Sequence, residues 1–262
     1  MGILNITPDS FSDGGQLYSG GFPDLDKISY LAEDLVNQGA DLLDVGGEST
    51  RPGAESITES EEIERVIPVV EALTRRFDIP LSVDTSTPPV IKLAAAEGAA
   101  MINDVRALCR PGALEAAAVS QLPVVLMHMQ GEPQTMQQTP VYTDVVTDVI
   151  TFLTDRVVAC ELAGIDRSKL VLDPGFGFGK TLQHNLGLFR ALPKLVALGM
   201  SVMVGFSRKR MVGEVLNKPV EERVHGSIAM AILAAQKGAS IIRVHDVAGT
   251  VDALKMWAAT ES

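Results

Sequence analysis

The sequence contains very little cysteine and no long apolar run, and each shortage excludes a class of protein. The two cysteines, Cys109 and Cys160, are too few for a disulfide framework and lack metal-ligand spacing. We expect both to be small buried hydrophobic residues in a reducing compartment. No apolar run reaches the roughly 18 residues that cross a bilayer, and Met1 leads into a strand pattern rather than a signal peptide. The sequence therefore predicts a soluble, cytoplasmic protein that does not bind a membrane.

Positive charge is also scarce. The chain has 22 Lys and Arg residues against 33 Asp and Glu residues, a formal net charge of −11. This charge disfavours non-specific binding to nucleic acid and repels anions at long range. Any anion site must therefore be a local cluster. The sequence has one at residues 207–210 (Ser-Arg-Lys-Arg), and Arg243 and His245 stand near the end of the chain.

What the sequence does contain is a regular alternation of strand and helix patterns, without a composition break that would mark a second domain. The predicted strands cover residues 2–7, 40–47, 79–86, 100–105, 123–129, 170–176, 201–208 and 241–247. Strict alternation predicts an α/β fold, a single (β/α)8 TIM barrel spanning residues 1–262 with its active site at the carboxyl ends of the strands. An open doubly wound sheet is the alternative fold.

Local signals place several helix ends. Asp24 is expected to cap the first helix, and Thr58 with Glu61 forms a predicted capping box for the second. Pro219 is expected to start the seventh helix, which Gly238 ends.

Polar residues stand at the ends of several predicted strands, where a barrel of this type carries its chemistry. Asp84, Asn103 and Asp173 occupy corresponding depths in three strands. Burying such groups without partners costs several kcal/mol each, so we expect a ligand to supply the partners. Two carboxylates and an amide suit a flat heterocycle with adjacent N–H donors. A metal ion ranks lower, because no histidine stands among the three.

Other strand ends leave two readings open. Asn5 is either a polar cap on the barrel mouth or a carbonyl ligand for a cation such as Mg2+. The exit of the second strand, with Thr50 and Arg51, either grips an anion or is a plain turn. His128 is expected to face away from Met127 and to be structural.

The last two strand exits predict a phosphate site. Ser207 and Lys209 stand two residues apart, as do Arg243 and His245, so each pair shares one face of its strand. Barrels often bind phosphate at the exits of strands seven and eight.

Eight motifs extend over essentially the whole chain in one order. They are GILNITPDSFSDGG at 2–15, DVGGESTRPGA at 44–54, SVDTS at 82–86, IND at 102–104, LMHMQG at 126–131, LDPGFGFGK at 172–180, SRK at 207–209 and RVHDV at 243–247. Together they resemble the dihydropteroate synthase family of pterin-binding barrels. The resemblance implies a transferase of folate biosynthesis. With Mg2+ assistance, such an enzyme condenses 6-hydroxymethyl-7,8-dihydropterin diphosphate with 4-aminobenzoate to give 7,8-dihydropteroate and pyrophosphate.

The resemblance also implies roles for residues at matching positions. The pterin would contact Asp84, Asn103, Met127, Asp173, Phe178, Lys209 and Arg243. The diphosphate would contact Asn5, Thr50, Arg51, Arg243 and His245, with Asn5 also touching Mg2+. The 4-aminobenzoate would contact Phe11, Thr50, Pro52, Phe178 and Ser207. The catalytic group would comprise Asp13, Lys209, Arg243 and His245.

The implied chemistry follows from charge. Departure of pyrophosphate leaves a cation conjugated to the electron-rich pterin, so we expect an SN1-like step that needs no protein nucleophile. As in the family, Asp13 would help to stabilise this cation and Mg2+. Sulfonamides would compete with aminobenzoate. A homodimer is expected through segments 219–237 and 248–261.

Two alternative functions remain. A methyltetrahydrofolate-type methyltransferase would share the carboxylates but would not need Thr50, Arg51, Ser207 or the diphosphate pair. A non-catalytic pterin-binding paralogue would lose part of the first two loops, and this chain keeps both.

Overall fold

The computed structural model describes residues 1–7, 17–19, 22–49, 57–131, 136 and 140–261. Its main sheet has eight parallel strands whose spatial order follows the chain. They are β1 (Gly2–Asn5), β2 (Leu43–Gly46), β3 (Leu81–Asp84), β4 (Met101–Asp104), β5 (Val124–Met127), β6 (Leu170–Asp173), β7 (Ser201–Val204) and β8 (Ile241–Ile242). Each lies within its predicted range, so all eight predicted strands are confirmed.

The sheet closes on itself. Gly2 forms a parallel bridge with Val244, just beyond β8. The amide of Ile3 donates to the Val244 carbonyl at 3.0 Å, and the amide of Val244 donates to the Met1 carbonyl at 3.0 Å. Because these bonds join the first strand to the end of the last, the fold is the predicted (β/α)8 barrel and not an open sheet.

Helices follow the strands and surround the barrel. Within the described residues they are α1 (Leu25–Asn37), α2 (Glu59–Arg76), α3 (Pro88–Ala96), α4 (Ala113–Ser120), α5 (Val145–Leu162), α6 (Leu182–Arg190), α7 (Leu192–Val196), α8 (Arg210–Leu216), α9 (Val224–Gln236) and α10 (Val247–Glu261). A two-stranded hairpin, Tyr18–Ser19 with Phe22–Pro23, precedes α1. Within the described parts of the chain, we find no helix that is both long and apolar enough to span a bilayer.

The predicted caps are confirmed. The Asp24 side chain accepts from the amide of Lys27 at 3.2 Å. The amide of Glu61 donates to Thr58 Oγ1 at 3.2 Å, and the amide of Thr58 donates to the Glu61 carboxylate at 2.8 Å. These bonds satisfy backbone N–H groups that have no partner within the first helical turn.

Two predictions were wrong. Pro219 begins only a short 3-10 turn, Val220–Glu222, and the helix itself starts at Val224. The cause is Arg223, whose guanidinium reaches back to donate to the Lys218 and Arg208 carbonyls at 3.1 Å each, so the chain turns before the helix begins. Cys109 is exposed rather than buried, because it lies in the loop after β4, whereas Cys160 is buried as expected.

Alternate side chains of each strand face opposite ways. One set, which includes Leu4, Val83 and Leu126, packs with the helices in the main hydrophobic core. The other faces the barrel interior, where Val125, Val171 and Met203 form a separate cluster. Two residues further along these strands the inward positions reach the barrel mouth, where Met127, Asp173 and Gly205 line a pocket.

Candidate active site

One pocket lies at the carboxyl ends of the strands, where the fold predicts chemistry. It is lined by Ile3, Asp84, Asn103, Val105, Met127, Asp173, Phe178, Met203, Gly205, Ser207, Lys209, Arg243 and His245. The structure therefore brings together most of the predicted site residues from six strands or the loops that follow them. Of the other predicted site residues, Asn5 is described but does not line the pocket. The rest lie outside the described residues; they are Phe11, Asp13, Thr50, Arg51 and Pro52.

Asn5 stands beside this pocket. It is the register partner of Gly46, which pairs with Asp84, which in turn pairs with Asn103. The four residues therefore form one row across β1 to β4. Gly46 carries no side chain into the row, and a Cβ there would lie 3.8 Å from the Asn5 amide oxygen. Asn5 thus lies at the same level of the sheet as Asp84 and Asn103.

Asp44 holds the polar groups of the mouth together, and the sequence analysis did not identify it. It is fully buried, at 0% exposure. Its Oδ2 atom accepts from Nε of Arg243 at 2.5 Å and from Nδ2 of Asn103 at 3.1 Å. Nη2 of Arg243 then donates to Oδ2 of Asp84 at 3.1 Å. The available signal was a charged residue inside the apolar strand Leu42-Leu-Asp-Val45.

Burial shifts the pKa values of both acids of the pocket upward. Burial raises the pKa of Asp84 to about 8, an effect that the neighbouring Arg243 opposes. Burial likewise raises the pKa of Asp173, while Lys209 opposes the rise. The amide oxygen of Asn103 has no hydrogen-bond donor among the described residues. A ligand that brings N–H donors to this pocket would satisfy these acceptors.

Lys209 supplies the positive charge beside Asp173. Its Nζ donates to the carbonyl of Phe176 at 2.5 Å and lies 4.7 Å from the centroid of the Phe178 ring. Burial lowers the pKa of Lys209 to about 8, and the Asp173 carboxylate opposes that shift. The pocket therefore offers a hydrogen-bond donor, two acids and an aromatic face within one small volume.

Ser207 and His245 join the exits of β7 and β8. The amide of His245 donates to Ser207 Oγ at 3.1 Å, and Nδ1 of His245 lies 3.0 Å from the same oxygen. Ser207 is buried, and both residues line the pocket. The two predicted exits thus meet at one place, beside Arg243.

His128 is structural, as predicted. Its ring packs edge-on against Phe152 of α5, with centroids 5.0 Å apart, on the outer side of the barrel wall. Burial lowers the pKa of His128 to about 3, so the ring is neutral. Its Nδ1 lies 3.0 Å from Nζ of Lys180, a buried lysine that the sequence analysis did not identify.

The donor groups fit a cation that is carried by a phosphate ligand. Within the described ranges, no group of three or more His, Cys, Asp or Glu side chains is placed to hold a metal ion. Asn5 offers one amide oxygen at the mouth. Mg2+ usually takes one or two protein oxygens and completes its shell with water and substrate phosphates, so this sparse donor set fits Mg2+ bound together with a diphosphate.

Known proteins resemble this chain closely. A family model described as pterin binding enzyme matches residues 1–245. A dihydropteroate synthase from Haemophilus influenzae is 53% identical over 260 residues, which cover 99% of this chain and 93% of that protein. The crystal structure of the Yersinia pestis dihydropteroate synthase with a sulfonamide drug complex has a TM-score of 0.94 and 54% identity, covering 100% of this chain and 93% of that one. Dihydropteroate synthase from Xanthomonas albilineans in complex with 7,8-dihydropteroate has a TM-score of 0.88 and 48% identity, with coverages of 100% and 93%.

Proposed function

The chain belongs to the pterin-binding enzyme family, and we propose that it catalyses the dihydropteroate synthase reaction at the barrel mouth. In this reaction, 6-hydroxymethyl-7,8-dihydropterin diphosphate and 4-aminobenzoate give 7,8-dihydropteroate and pyrophosphate. The observation that carries the proposal is the meeting of Asp84, Asn103, Asp173 and Lys209 in one pocket. These side chains come from four separate strands or their loops, and together they match one flat, polar ligand.

The pterin fits the floor of this pocket by hydrogen-bond chemistry. Its pyrimidine edge carries adjacent N–H donors, which carboxylates accept in parallel, and the Asn103 oxygen adds a further acceptor. Lys209 supplies a donor to the acceptor atoms of the ring. Met127, Phe178 and the Arg243 guanidinium are proposed to sandwich the planar ring of the pterin.

Arg243 and His245 are proposed to hold the diphosphate. Arg243 is anchored by Asp44 and Asp84, so its guanidinium is fixed at the mouth before the substrate binds. His245 is anchored through Ser207. Asn5 completes the group at the rim. When Mg2+ is bound with the diphosphate, the metal ion would neutralise negative charge on the leaving group. Thr50 and Arg51 are proposed to join this group from the second loop.

The proposed chemistry is dissociative. The bond from the pterin methylene carbon to the diphosphate oxygen breaks, and the leaving group takes the electron pair. The amine lone pair of 4-aminobenzoate then forms the new C–N bond, and the amine proton is released. Arg243 and His245 stabilise the negative charge that builds on the leaving group, and Asp13 is proposed to stabilise the cation.

Ser207 is proposed to receive the carboxylate of 4-aminobenzoate, with Phe178 packing against its ring. Phe11, Thr50 and Pro52 are proposed to complete this second subsite from the first two loops. Because a sulfonamide resembles 4-aminobenzoate in shape and charge, we also expect sulfonamides to compete for it.

We further propose a cytoplasmic homodimer. Cys109 and Cys160 are both free, which suits a reducing compartment. Leu233 on α9 is 44% exposed and Met256 on α10 is 68% exposed, so adjacent helices offer apolar surface to a partner. Solution scattering that gives the mass of one chain at micromolar concentration would contradict the dimer.

A coupled assay tests the function directly. Purified protein, Mg2+ and the dihydropterin diphosphate are combined with and without 4-aminobenzoate, and pyrophosphate is measured. We expect release that depends on 4-aminobenzoate. Pterin binding without release would instead identify a non-catalytic pterin-binding paralogue.

A further inference from the structure

Lys180 is a buried lysine that the proposed reaction does not use. It is 3% exposed and is not among the residues that line the pocket at the mouth. Its Nζ donates to the carbonyls of Gly175 at 2.9 Å, Phe178 at 3.0 Å and His128 at 3.3 Å. It also lies 3.0 Å from Nδ1 of the neutral His128 ring. Burial lowers the pKa of Lys180 to about 7, an effect that Asp173 opposes. In its ammonium form, Lys180 has three donors, which these four acceptors share.

These acceptors belong to two different loops. His128 directly follows Met127, the last residue of β5. Gly175 and Phe178 belong to the loop that follows Asp173, the last residue of β6. Lys180 therefore ties the loop that carries Phe178 to the residue that directly follows Met127, and these two side chains are proposed to enclose the pterin.

The two loops also touch backbone to backbone. A Cβ added at Gly175 would lie 1.9 Å from the His128 carbonyl oxygen, and one at Gly179 would lie 2.4 Å from the Gln130 carbonyl oxygen. Neither glycine can be replaced without moving one loop away from the other. The spacing between the loops is thus set by close contact, and Lys180 supplies the attraction across it.

A second lysine acts on the same loop from the pocket side. Lys209 donates to the carbonyl of Phe176, between the two carbonyls of this loop that Lys180 holds. The outer part of the loop is held independently, because Asn185 accepts from the amide of Gly177 at 2.8 Å and Tyr142 donates to the Gly179 carbonyl at 2.8 Å. Loss of the Lys180 ammonium would leave the loop attached but would free its inner side.

We propose that Lys180 is a positioning residue for the pterin, which fixes the separation of Met127 and Phe178 by holding the loops after β5 and β6 together. The inference rests on the proposed function, since that function makes these two side chains the walls of the pterin site. It predicts that Lys180 controls pterin binding and, to a smaller extent, the binding of 4-aminobenzoate, because Phe178 is proposed to contact both substrates.

The test replaces Lys180 by methionine, which keeps an unbranched side chain and removes the ammonium. We expect Lys180→Met to raise the KM for the dihydropterin diphosphate about tenfold or more, because displacement by about 1 Å is costly in such sites. The Kd of 6-hydroxymethylpterin, measured by calorimetry, should rise by the same factor. The KM for 4-aminobenzoate at saturating diphosphate should rise by a smaller factor, because Phe178 is only one of the residues proposed to contact it.

Lys169→Met is the matched control. Lys169 precedes β6 at the opposite end of the barrel, and its Nζ also donates to a backbone carbonyl, that of Gln121, at 2.7 Å. It should leave all three constants within about twofold. If Lys180 only stabilises the fold, Lys180→Met would lower the fraction of active protein. The apparent kcat would then fall, while both KM values and the pterin Kd would stay unchanged. That pattern overturns the proposal.

A second variant keeps the test decisive if Lys180→Met fails to fold. Lys180→Arg retains a buried cation with several donors. If Lys180 positions the two loops, the Kd of 6-hydroxymethylpterin for the folded fraction of this variant should be higher than for the wild-type protein. An unchanged Kd there overturns the proposal. The binding of 6-hydroxymethylpterin needs no turnover, so this measurement tests the role of Lys180 separately from the proposed function. The proposed function fails if the wild-type protein releases no pyrophosphate.

Discussion

Nε of Arg243 lies 2.5 Å from Oδ2 of Asp44, across the closed barrel and 199 residues away in sequence. The same carboxylate oxygen accepts from Asn103, and the guanidinium continues to Asp84. Asp44 therefore orients two side chains at once: Arg243, which is proposed to bind the diphosphate, and Asn103, which is proposed to bind the pterin. Asp44 is fully buried, and among the described residues Arg243 and Asn103 donate the hydrogen bonds that its Oδ2 atom accepts.

Asp44→Asn removes that charge at nearly constant volume. Breaking one partner of a buried ion pair typically costs about 3–5 kcal/mol, so we expect the free energy of unfolding to fall by about that amount. Turnover should fall further than the loss of folded protein explains, because Arg243 loses its anchor. Urea denaturation and steady-state kinetics measure the two effects. Asp41→Asn, at an exposed position just before the same strand, is the control. An Asp44→Asn protein as stable and active as that control would contradict the role of Asp44 as the anchor of Arg243.

Asp84 should release a proton when pterin binds. Burial raises its pKa to about 8, so in the free protein it is largely protonated below pH 8. Pterin N–H donors stabilise the carboxylate, which lowers the pKa, and pterin affinity should therefore rise as the pH approaches 8. Calorimetry at pH 6.5 in buffers of different ionisation enthalpy measures the proton.

Asp84→Asn is expected to abolish this proton release and to weaken binding. Asp78→Asn, an exposed carboxylate that precedes the amino end of the same strand, should keep both. Pterin binding to the wild-type protein without proton release at any pH between 5 and 8 would contradict the assignment of Asp84.

Glu48 is expected to control 4-aminobenzoate binding. It forms a bidentate pair with Arg106, with both N–O distances at 3.0 Å, and both side chains are largely buried. Glu48 stands two residues before Thr50, so the pair fixes the start of the loop that is proposed to contact 4-aminobenzoate. Glu48→Gln should raise the KM for 4-aminobenzoate about tenfold, since bidentate charged pairs give geometric specificity. The KM for the diphosphate should also rise, because Thr50 and Arg51 of the same loop are proposed to contact it.

Glu71→Gln is the matched control for that pair. Glu71 also faces an arginine, Arg75, at 2.7 Å, but on an exposed helix surface. Such pairs contribute about 0–1 kcal/mol to stability, so this variant should behave as wild type. A lower fraction of folded protein with both KM values unchanged for Glu48→Gln would mean that the pair only stabilises the barrel.

Lys209→Ala should lower turnover more than it lowers stability. Lys209 lies in the pocket beside Asp173, with its Nζ 4.7 Å from the centroid of Phe178. Removing one side-chain donor that stabilises a transition state costs about 2.7–4 kcal/mol in enzymes, so we expect a loss of that order in kcat. Lys237→Ala removes a similar contact, 5.6 Å from the Phe189 ring centroid and outside the pocket, and should leave kcat unchanged. A Lys209 variant with wild-type turnover would refute the assignment.

Much of the fold and part of the site could be predicted from the sequence. Strands are short and apolar here and each leads into polar residues, so period-two alternation was enough to place Asp84, Asn103 and Asp173 at one mouth. Local caps such as Asp24 were also predictable, because their partners lie within one turn.

The remaining features depend on contacts that sequence spacing does not reveal. Asp44 was missed because its partners Asn103 and Arg243 are distant in sequence and meet only when the barrel closes. The role of Lys180 was not predicted because most of its hydrogen-bond acceptors are backbone carbonyls, which carry no residue-specific signal. The start of α9 was misplaced because the Arg223 side chain, and not Pro219, decides where the chain turns.

The most direct test of the central claim measures 7,8-dihydropteroate and pyrophosphate together, in the wild-type protein and in Asp173→Asn. Asp166→Asn, which alters an exposed residue before the amino end of β6, is the control. The account predicts equal amounts of both products from the wild-type and control proteins, and a rate lower by about a hundredfold or more in a folded Asp173→Asn protein. No 7,8-dihydropteroate from the wild-type protein, or an unchanged rate in folded Asp173→Asn, would contradict it.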